Sequence, residues 1–461
     1  MYRFYINNVN DEYHYMELAR AFLPDDGFEI IPYTGSNVSD LLGSDSFFVN
    51  AEGSSDRDEI KRELYRLLSE LTGAELPWGT LTGVRPLKPV MALCRDNSVS
   101  EVKNIIKDKY LLSGEKISLI ADIADYQLTH CPGEITDKAS VYIGIPFCPT
   151  RCAYCSFASN VATDDERRRY LDLLIKEIEY MGCLTRSNNT GIESVYIGGG
   201  TPTTLNADQL SILIERFCEA FDTDAGKIEF TVEAGRPDTI TSEKLKALKD
   251  HGINRISINP QSMKNSTLEL IGRYHTADDI RRGFKTARDA GFGLINADLI
   301  AGLPGEDLHD FENSLSDMIE LGAENITIHT LSVKKGSRLK ENDPVFYRKN
   351  SETVASMLGL SGQMLRNAGY RPYYIYRQKH QTGSLENVGW CRPGMHSMYN
   401  IRIMADKQSV IGLGAGAVGK VYYPEEDRIE RIANVSNYKI YIERFSDMLD
   451  RKKLYFKQTA Y

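Results

Sequence analysis

The sequence predicts an alternating α/β fold: a partial (β/α)6 barrel, with a small N-terminal α/β domain before it and a C-terminal α+β region after it. Between residues 139 and 335, short Val- and Ile-rich segments alternate six times with helical patterns. Such alternation is typical of a parallel sheet wrapped by helices, and six units fit a partial barrel better than a closed eight-stranded one. The six strand candidates are SVYIGIP, ESVYIGGG, KIEFTVEAG, NRISINPQ, GLINADLIAG and NITIHTLSV.

The segments on either side of the barrel have simpler patterns. Residues 1–75 read as a small α/β domain, with the β-rich runs YRFYINN, FEIIPY and SFFVNA and two helices, the second ending at Gly73. Residues 76–138 read as a helical connector. Its helices resemble a helix-turn-helix in spacing, but neither has the basic face that DNA binding needs. Residues 336–461 form a third region that we expect to cover the barrel and its substrate.

Composition excludes several classes of function. The 461 residues carry a formal charge of −9 and a pI near 5.6, which argues against broad nucleic-acid binding because such binding rests on many Lys and Arg side chains. No run approaches the roughly 20 apolar residues of a membrane span, and the first residues lack the pattern of a signal peptide. We therefore expect a cytoplasmic protein.

Three of the eight cysteines lie within YIGIPFCPTRCAYCSF, directly after the first barrel strand. The spacing C-x3-C-x2-C allows Cys148, Cys152 and Cys155 to hold three corners of an iron–sulfur cubane and to leave one iron open. Structural zinc would require a fourth ligand, which this stretch lacks, and a catalytic zinc site remains an alternative. A buried structural trio is disfavoured, because Pro149, Arg151 and Tyr154 suit an exposed loop.

Glycine or polar residues follow several of the predicted strands. The chemistry of such folds lies at the carboxyl ends of the strands, where polar groups need a partner or a ligand. Three successive glycines let a backbone approach a ligand closely, although a tight turn capped by Thr201 is an equal alternative. The residues are Gly199, Gly200, Thr201, Glu233, Gln261 and Asp298.

The cysteine segment and the barrel pattern together resemble the radical S-adenosylmethionine (SAM) superfamily, in which an aromatic residue, here Tyr154, precedes the last cysteine. This resemblance implies a [4Fe-4S] cluster held by Cys148, Cys152 and Cys155. Its fourth iron would bind the amino and carboxylate groups of SAM. An electron delivered through that iron would cleave SAM to methionine and a 5′-deoxyadenosyl radical.

Further motifs resemble the oxygen-independent coproporphyrinogen III oxidases and their relatives, namely IGRYHT, GLPGE, GWCRPG and GLGAGAVG. The resemblance implies that Gln261 and Asp298 bind the ribose hydroxyls of SAM and that Arg273 holds its carboxylate. It also places Glu233 in the SAM site and Tyr142 beside the cluster.

Two departures from the best-known oxidases point to a divergent branch. Phe157 stands where those enzymes have a further cysteine, and Gly144 stands where they have a histidine. Both residues resemble two sister branches, the divergent coproporphyrinogen dehydrogenases and the related haem chaperones. The N-terminal domain with LTGVRPLK and the segment YRQKHQTGSLENVGWCRPG resemble the first of these branches. The resemblance implies oxidative decarboxylation of coproporphyrinogen III to protoporphyrinogen IX, with flavodoxin or ferredoxin as a typical electron donor. The alternatives are a haem chaperone, another radical SAM reaction on a tetrapyrrole and, remotely, a nucleic-acid-binding protein with a redox-sensing cluster.

One segment suits a tetrapyrrole that carries four carboxylates. Basic residues alternate with tyrosines there, and Arg pairs bidentately with carboxylates while aromatic rings could flank a macrocycle. The alternative is an amphipathic strand with a solvated basic face. The residues are Arg366, Arg371, Arg377, Lys379, Tyr370, Tyr373, Tyr374 and Tyr376. For a haem chaperone, His329, His380 and His396 are candidate ligands, although a lone His is more often structural.

GLGAGAVG also imitates a dinucleotide fingerprint, with Gly414, Gly416 and Gly419 in the G-x-G-x-x-G pattern. The residues that follow lack the amphipathic helix that such a loop must open. We therefore expect a glycine-rich turn near the substrate or SAM site.

Overall fold

The computed structural model describes residues 1–6, 12–33, 43–49, 56–131, 133, 135–155, 159–332, 350–378 and 382–456. The chain forms two compact units. The first contains residues 1–126, 375–379 and 383–386, and the second contains 127–374, 380–382 and 387–461. The domain boundaries suggested by the sequence, at residues 75, 138 and 335, stay predictions.

The first unit begins with a three-stranded parallel sheet in the order β2-β1-β3. Its strands are β1 (Tyr2–Ile6), β2 (Phe28–Pro32) and β3 (Ser46–Val49). The helices are α1 (Glu12–Phe22), α2 (Arg57–Thr72), α3 (Leu87–Leu93), α4 (Val99–Tyr110) and the start of α5 (Gly114–His130). Helix α2 begins at the Asp56 cap and ends at Gly73, whose φ of +69° suits glycine. The predicted α/β pattern and helical connector are both present.

The second unit contains the predicted six parallel strands in sequential spatial order. They are β4 (Lys138–Ile145), β5 (Gly191–Gly199), β6 (Glu229–Glu233), β7 (Arg255–Ser257), β8 (Leu294–Ala301) and β9 (Asn325–Thr330). The helices between and after them are α6 (Asp164–Ser187), α7 (Ala207–Phe221), α8 (Ser242–Asp250), α9 (Asn265–Leu270), α10 (Ala277–Asp289), α11 (Leu308–Glu320) and α12 (Ser351–Asn367). The partial barrel is therefore confirmed.

Burial explains why these segments are strands. Parallel strands covered on both faces need near-continuous apolar residues, and Val141, Ile143, Val195 and Ile197 of β4 and β5 are all fully buried. The helices that follow start at side-chain caps. In α6, for example, Thr163 and Glu166 form a reciprocal capping box. Each helix start fixes where the preceding loop ends, and these loops carry the site.

The sheet continues beyond the barrel on both sides, so it remains open. On one side, β11 pairs antiparallel with β9, and β10 lies beyond it. On the other side, β12 pairs parallel with β4, and β13 and β14 follow antiparallel. The remaining elements are β10 (Arg371–Arg377), β11 (Glu386–Cys391), α13 (Met398–Ala405), β12 (Val410–Leu413), β13 (Val418–Tyr423), β14 (Arg428–Ala433), α14 (Tyr438–Glu443) and α15 (Phe445–Lys452). Among the described helices, none is long and apolar enough to cross a membrane.

A buried ion pair connects α6 to α15. The Nζ of Lys452 lies 3.1 Å from an oxygen of Glu177, and both side chains are fully buried. The Glu177 carboxylate also accepts hydrogen bonds from the Asn434 amide at 2.8 Å, the Tyr441 hydroxyl at 2.7 Å and the Gly414 N–H at 2.7 Å. Four groups are thus fixed around one carboxylate, and one of them belongs to the glycine-rich turn.

That turn, residues 414–417, joins β12 to β13 in a hairpin. Gly414 and Gly416 have φ of +84° and +77°, which explains two of the glycines. The Tyr170 hydroxyl accepts from Ala415 N–H at 2.8 Å and donates to the carbonyl of Gly144 in β4 at 2.6 Å. The turn opens no helix, so the dinucleotide interpretation is rejected, and it instead supports the strand that leads to the cysteines.

Candidate active site

The cysteine loop leaves β4 and is held by backbone hydrogen bonds. Cys148 N–H donates to the carbonyl of Asn160 at 3.0 Å, and Cys155 N–H donates to that of Cys152 at 3.2 Å. Ala153 N–H donates to the carbonyl of Ile271 at 2.9 Å, so the loop is tied to the end of α9. These contacts hold the three cysteines on one short, partly buried segment.

Hydrogen-bond donors and cations surround the sulfur atoms. The Thr201 hydroxyl lies 3.5 Å from Cys148 Sγ, and a guanidinium nitrogen of Arg236 lies 4.0 Å from Cys152 Sγ. Arg236 also donates to the Thr150 hydroxyl at 3.0 Å, and it is held by a bidentate pair with Asp238 at 2.9 Å. Such donors stabilise thiolates, which are the form of cysteine that binds iron.

The set of donors fits a cluster better than a single ion. Among the described residues, no three His, Cys, Asp or Glu side chains are close enough to hold one metal ion. A cubane differs, because each thiolate binds a different iron atom and the sulfurs stand further apart. Burial raises the pKa of the Cys148 thiol to about 11, against the hydrogen bond from Thr201. A bound metal centre would stabilise the thiolate form of this cysteine against the cost of burial.

Replacing Thr201 with valine tests the hydrogen bond to Cys148. In the cluster that the sequence resemblance implies, hydrogen bonds to the ligating sulfurs set the reduction potential. We therefore expect a more negative potential and about tenfold slower SAM cleavage in this variant. The measurements are a redox titration followed by electron paramagnetic resonance and the rate of 5′-deoxyadenosine release. Thr201→Ser keeps the hydroxyl and serves as the control. Equal potentials in the valine variant and the wild type would contradict the assigned role.

The glycine segment after β5 lies against the cysteine loop. Gly200 N–H donates to the carbonyl of Ile145 at 2.8 Å, and Thr201 N–H donates to that of Phe147 at 2.7 Å. A Cβ at Gly200 would lie 2.5 Å from the Phe147 carbonyl oxygen. Gly199 has a φ of +110°. The glycines therefore let this backbone segment approach the start of the cysteine loop closely. The Thr201 side chain makes no helix-capping hydrogen bond.

Arg273 lies on the other side of the loop, after α9. Its guanidinium donates to the carbonyl of Gly235 at 3.2 Å and to that of Asn259, and it faces Tyr154 and Cys152. Its Nε and the side-chain oxygen of Asn259 are both buried without a hydrogen-bond partner among the described residues. A buried donor and acceptor without partners are costly, which favours a ligand at this position.

Glu233 ends β6 as predicted. Its carboxylate accepts a hydrogen bond from the Tyr196 hydroxyl at 2.6 Å and another from Gly199 N–H. Burial raises the pKa of this carboxyl to about 7, against the Tyr196 hydrogen bond, and the charge of Asp298 raises it further. A cationic group placed beside Glu233 would relieve this cost.

Asp298 lies within β8 and does not end it, because the strand continues for three residues to Ala301. Asp298 accepts from the Asn296 amide at 2.8 Å and lies 3.5 Å from His329 Nε2. Burial alone would raise its pKa, but His329 and the hydrogen bonds hold the pKa below its usual value. The expected strand-end position was wrong. The Asp298 carboxylate nevertheless lies close enough to Glu233 for its charge to raise the pKa of Glu233.

Gln261 follows β7 in an unusual backbone conformation. Its φ is +68°, in the left-handed region that non-glycine residues rarely adopt. Its N–H donates to the carbonyl of Asp298 at 2.9 Å, and its own carbonyl accepts from Ile300 N–H at 3.0 Å. The strained residue is therefore fixed to β8 and is mostly buried. Strain of this kind concentrates at functional sites.

Comparisons with known proteins agree with this geometry. Residues 142–318 match the Radical SAM superfamily. The oxygen-independent coproporphyrinogen-III oxidase-like protein HemZ of Bacillus subtilis is 41% identical over 407 residues, which cover 87% of this chain and 81% of HemZ. The chain is a radical SAM protein of the coproporphyrinogen-III-oxidase-like family. The proteins of this superfamily use a [4Fe-4S] cluster and SAM, and these are its cofactors.

Two further relatives are informative. The haem chaperone HemW of Bacillus subtilis is 32% identical over 308 residues, which cover 67% of this chain and 76% of HemW. The structure of coproporphyrinogen III oxidase (HemN) from Escherichia coli matches with a TM-score of 0.53 and 21% identity, and covers 73% of this chain and 74% of that one. The latter match supports the fold of the radical SAM domain. The specific reaction is not decided by either.

Sequence reasoning missed an aromatic stack in the radical SAM barrel. Tyr142 stacks on Tyr196 with ring centroids 6.3 Å apart, and Tyr196 stacks on Tyr399 at 4.8 Å. A signal existed, because the pentapeptide SVYIG occurs in both β4 and β5, and the two copies pair in register. Tyr399 had no such signal. It is placed by the Glu229 carboxylate, which accepts from its N–H at 2.9 Å at the start of α13.

Two more residues beside the radical SAM cysteines were missed. Arg236, described above, follows Glu233 in the quoted segment FTVEAGRPD. His275 lies two residues after Arg273, is only 3% exposed and has no hydrogen-bond partner among the described residues. Burial, together with the charges of Arg273 and Arg236, lowers its pKa to about 4. Its imidazole is therefore neutral near pH 7.

Several other expectations need correction. Tyr154 is half-buried and packs on a buried cluster that includes Ile271 and Leu331, whereas Arg151 on the same loop is exposed as expected. Phe157, Lys379 and His380 lie outside the described residues. The proposed basic face is not uniformly solvated. Arg366 and Arg371 are exposed, and Arg366 also lies over the Trp390 ring at 5.1 Å, but Arg377 is buried.

The tyrosines of that segment are also mostly structural. Tyr373 and Tyr374 are buried, and the Tyr370 hydroxyl donates to the carbonyl of Ala323 at 2.5 Å. Of the candidate haem ligands, His329 interacts with Asp298, and His396 contacts the ring of His130 at 6.2 Å. Among the described residues of this set, several are therefore buried or already partnered within the fold and do not form a common exposed surface.

Proposed function

We propose that this radical SAM protein catalyses the oxygen-independent oxidative decarboxylation of coproporphyrinogen III, converting two propionates to vinyl groups to give protoporphyrinogen IX. The supporting observation is the arrangement of the cysteine loop beside Glu233, Gln261, Arg273 and Asp298, in a chain with 41% identity to HemZ over most of both lengths. A cytoplasmic location and an electron donor such as flavodoxin or ferredoxin belong to the same proposal.

The cofactor contacts follow from the residues described above. Cys148, Cys152 and Cys155 would hold the cluster, and Arg236 and Thr201 would balance the charge of the thiolates. Bound cluster and SAM supply a 5′-deoxyadenosyl radical on reduction. The protein's own task is to hold SAM, exclude water and aim one C–H bond of a propionate.

For SAM itself, Arg273 would bind the carboxylate with the nitrogen that now lacks a partner, and Glu233 would bind the ammonium group. The backbone of Gly199 and Gly200 would line the same side. Gln261 and Asp298 would accept hydrogen bonds from the ribose hydroxyls. Tyr142 would lie beside the cluster, within the aromatic stack. The opposite charges of Arg273 and Glu233 match the two ends of an amino acid, which supports the assignment.

Each round would remove one hydrogen atom and one carboxylate, lost as carbon dioxide, and pass one electron to an acceptor. The test is anaerobic incubation of the iron–sulfur-reconstituted protein with reductant, SAM, coproporphyrinogen III and an electron acceptor. Chromatography would then show 5′-deoxyadenosine together with monovinyl and divinyl products. The Cys148→Ala variant is the control. Release of 5′-deoxyadenosine without any change in the porphyrin would contradict the proposal.

A second candidate is haem delivery, because the HemW relative is a haem chaperone. Titration of the same protein with haem separates the two. Tight one-to-one binding without decarboxylation favours the chaperone, whereas vinyl products favour the dehydrogenase.

The raised pKa of Glu233 predicts pH-dependent SAM binding. The carboxylate is needed to pair with the ammonium group, and with a pKa of about 7 it is mostly protonated at pH 6. We expect SAM to bind about tenfold more weakly at pH 6 than at pH 8. Equilibrium dialysis with the reconstituted protein measures this.

Glu233→Gln should bind SAM weakly and without this pH dependence. Since His329 and Asp298 lie near Glu233, His329→Gln is the matched control and should keep the dependence. An unchanged pH profile in Glu233→Gln would assign the effect to another group.

A further inference from the structure

The first unit contains a small cleft whose lining includes no residue of the cysteine loop. All of its lining belongs to this unit, and the free space is about 230 Å³ when its open mouth is counted. We call it the Trp78 cleft. Its lining includes Leu76, Trp78, Leu81, Thr82, Arg377 and Ser384. One aromatic ring and one guanidinium therefore face the same space.

Trp78 is fixed in orientation by a buried ion pair. Its indole N–H donates to a carboxylate oxygen of Glu386 at 2.7 Å, and the other oxygen of Glu386 lies 2.6 Å from Lys116 Nζ. Trp78 is only 2% exposed. The ring is thus held by a specific partner, as in a binding site that is formed before the ligand arrives.

Arg377 brings a buried positive charge to the cleft. Its Nε and Nη2 donate to the carbonyl of Ser384 at 3.0 and 2.6 Å, and its Nη1 donates to that of Leu81. Its guanidinium carbon lies 5.7 Å from the Trp78 ring centroid. A guanidinium has five N–H donors, so some remain for a ligand. No carboxylate among the described residues forms an ion pair with it.

A second buried cation lies nearby. Lys61 is 7% exposed, and its Nζ donates to the carbonyl of Thr80 and to the hydroxyl of Thr82 at 3.3 Å. Thr82 itself lines the cleft. The charges of Lys61 and Arg377 repel each other, and burial makes the cost of each greater.

The nearest carboxylates in this unit already have cationic partners. Asp58 lies 3.3 Å from Lys109 and 3.7 Å from Arg57, and Glu386 is paired with Lys116. The cleft therefore has an excess of positive charge in the part of the chain that the structure describes. Burying two like charges is unfavourable unless an anion compensates them.

We propose that the Trp78 cleft binds one small oxyanion group, a carboxylate or a phosphate, between Arg377 and the Thr82–Lys61 side. The proposal goes beyond the function suggested for the barrel and does not depend on it. The enclosed part of the cleft is small, so it admits a single such group, and the rest of a molecule that carries this group would stay in the open mouth.

Fluorescence of Trp78 tests the proposal on the full chain. The sequence has only two tryptophans, so Trp390→Phe leaves Trp78 as the sole one. This protein is titrated with benzoate and with inorganic phosphate at constant ionic strength, and with benzamide as the neutral analogue. We expect a saturable change with at least one anion, with a dissociation constant of about 1–10 mM. The anion with the lower dissociation constant, benzoate or phosphate, shows whether the cleft prefers a carboxylate or a phosphate group.

Two variants locate the site. In Arg377→Met the anion should bind at least about tenfold more weakly, because the charge-assisted hydrogen bonds are lost. Arg371→Met removes an exposed cation from the same strand and should leave binding unchanged. Lys61→Met provides an independent test if Arg377→Met does not fold, and it should also weaken binding.

The pH dependence gives a further check. Burial, with the charges of Arg57 and Arg377, lowers the pKa of Lys61 to about 8, and Asp58 opposes this shift. Benzoate binding should therefore weaken up to about tenfold from pH 7 to pH 9. The proposal is overturned if neither anion gives a saturable change, if benzamide responds equally, or if the folded Arg377→Met and Lys61→Met variants both bind like the parent.

Discussion

Replacing Cys148 with alanine is expected to abolish cluster assembly while leaving the fold intact. The variant should retain less than about a tenth of the wild-type iron and release no measurable 5′-deoxyadenosine, because two cysteines cannot hold the cubane. The loop itself should persist, because the backbone N–H of Cys148 keeps its hydrogen bond to Asn160 and only the Thr201 contact to Sγ is lost. Iron analysis and chromatography after anaerobic reconstitution measure both effects.

The matched control is Cys183→Ala, which removes an exposed cysteine from α6. This variant should bind iron and cleave SAM like the wild type. Normal iron content and SAM cleavage in Cys148→Ala would show that the cluster is held elsewhere, and the assignment of all three cysteines would then fail.

The largest effect on stability is expected from Glu177→Gln. The change leaves the fully buried Lys452 without its countercharge, and breaking a buried ion pair in this way costs about 3–5 kcal/mol. It also weakens the hydrogen bond that holds Gly414. Urea unfolding followed by circular dichroism measures the free energy of unfolding.

Glu179→Gln changes an exposed glutamate on the same helix, paired with Arg216 at the surface, and should cost less than about 0.5 kcal/mol. Adding Lys452→Met to Glu177→Gln should recover part of the loss, because no unpaired charge remains. A destabilisation below about 1 kcal/mol in Glu177→Gln would mean that water or a shifted neighbour compensates Lys452.

Much of the barrel and part of the site could be predicted from the sequence. The strands are recognisable because both faces are covered, so nearly every residue is apolar. The cysteine spacing is informative because it reflects the geometry of the ligand itself. Glu233 and Gln261 could be found because the first ends a recognisable strand and the second lies shortly after another. These features depend on local pattern and on the chemistry of single residues.

Other features depend on contacts between distant segments and were not predictable. The stack of Tyr142, Tyr196 and Tyr399 requires the register of β4 and β5 and the position of a helix some 200 residues later. Whether Arg377 faces solvent or the interior depends on its partners, Leu81 and Ser384. Asp298 was placed at a strand end because sequence patterns define the ends of strands poorly.

The pairing of β12 with β4 has a consequence for folding during synthesis. Val410 pairs with Ser140, which precedes it by 270 residues, so the strand that carries the cysteine loop keeps one open edge while most of the chain is made. Contacts so distant form slowly, and open strand edges promote aggregation. The ribosome therefore releases the cysteine loop long before its supporting hairpin exists.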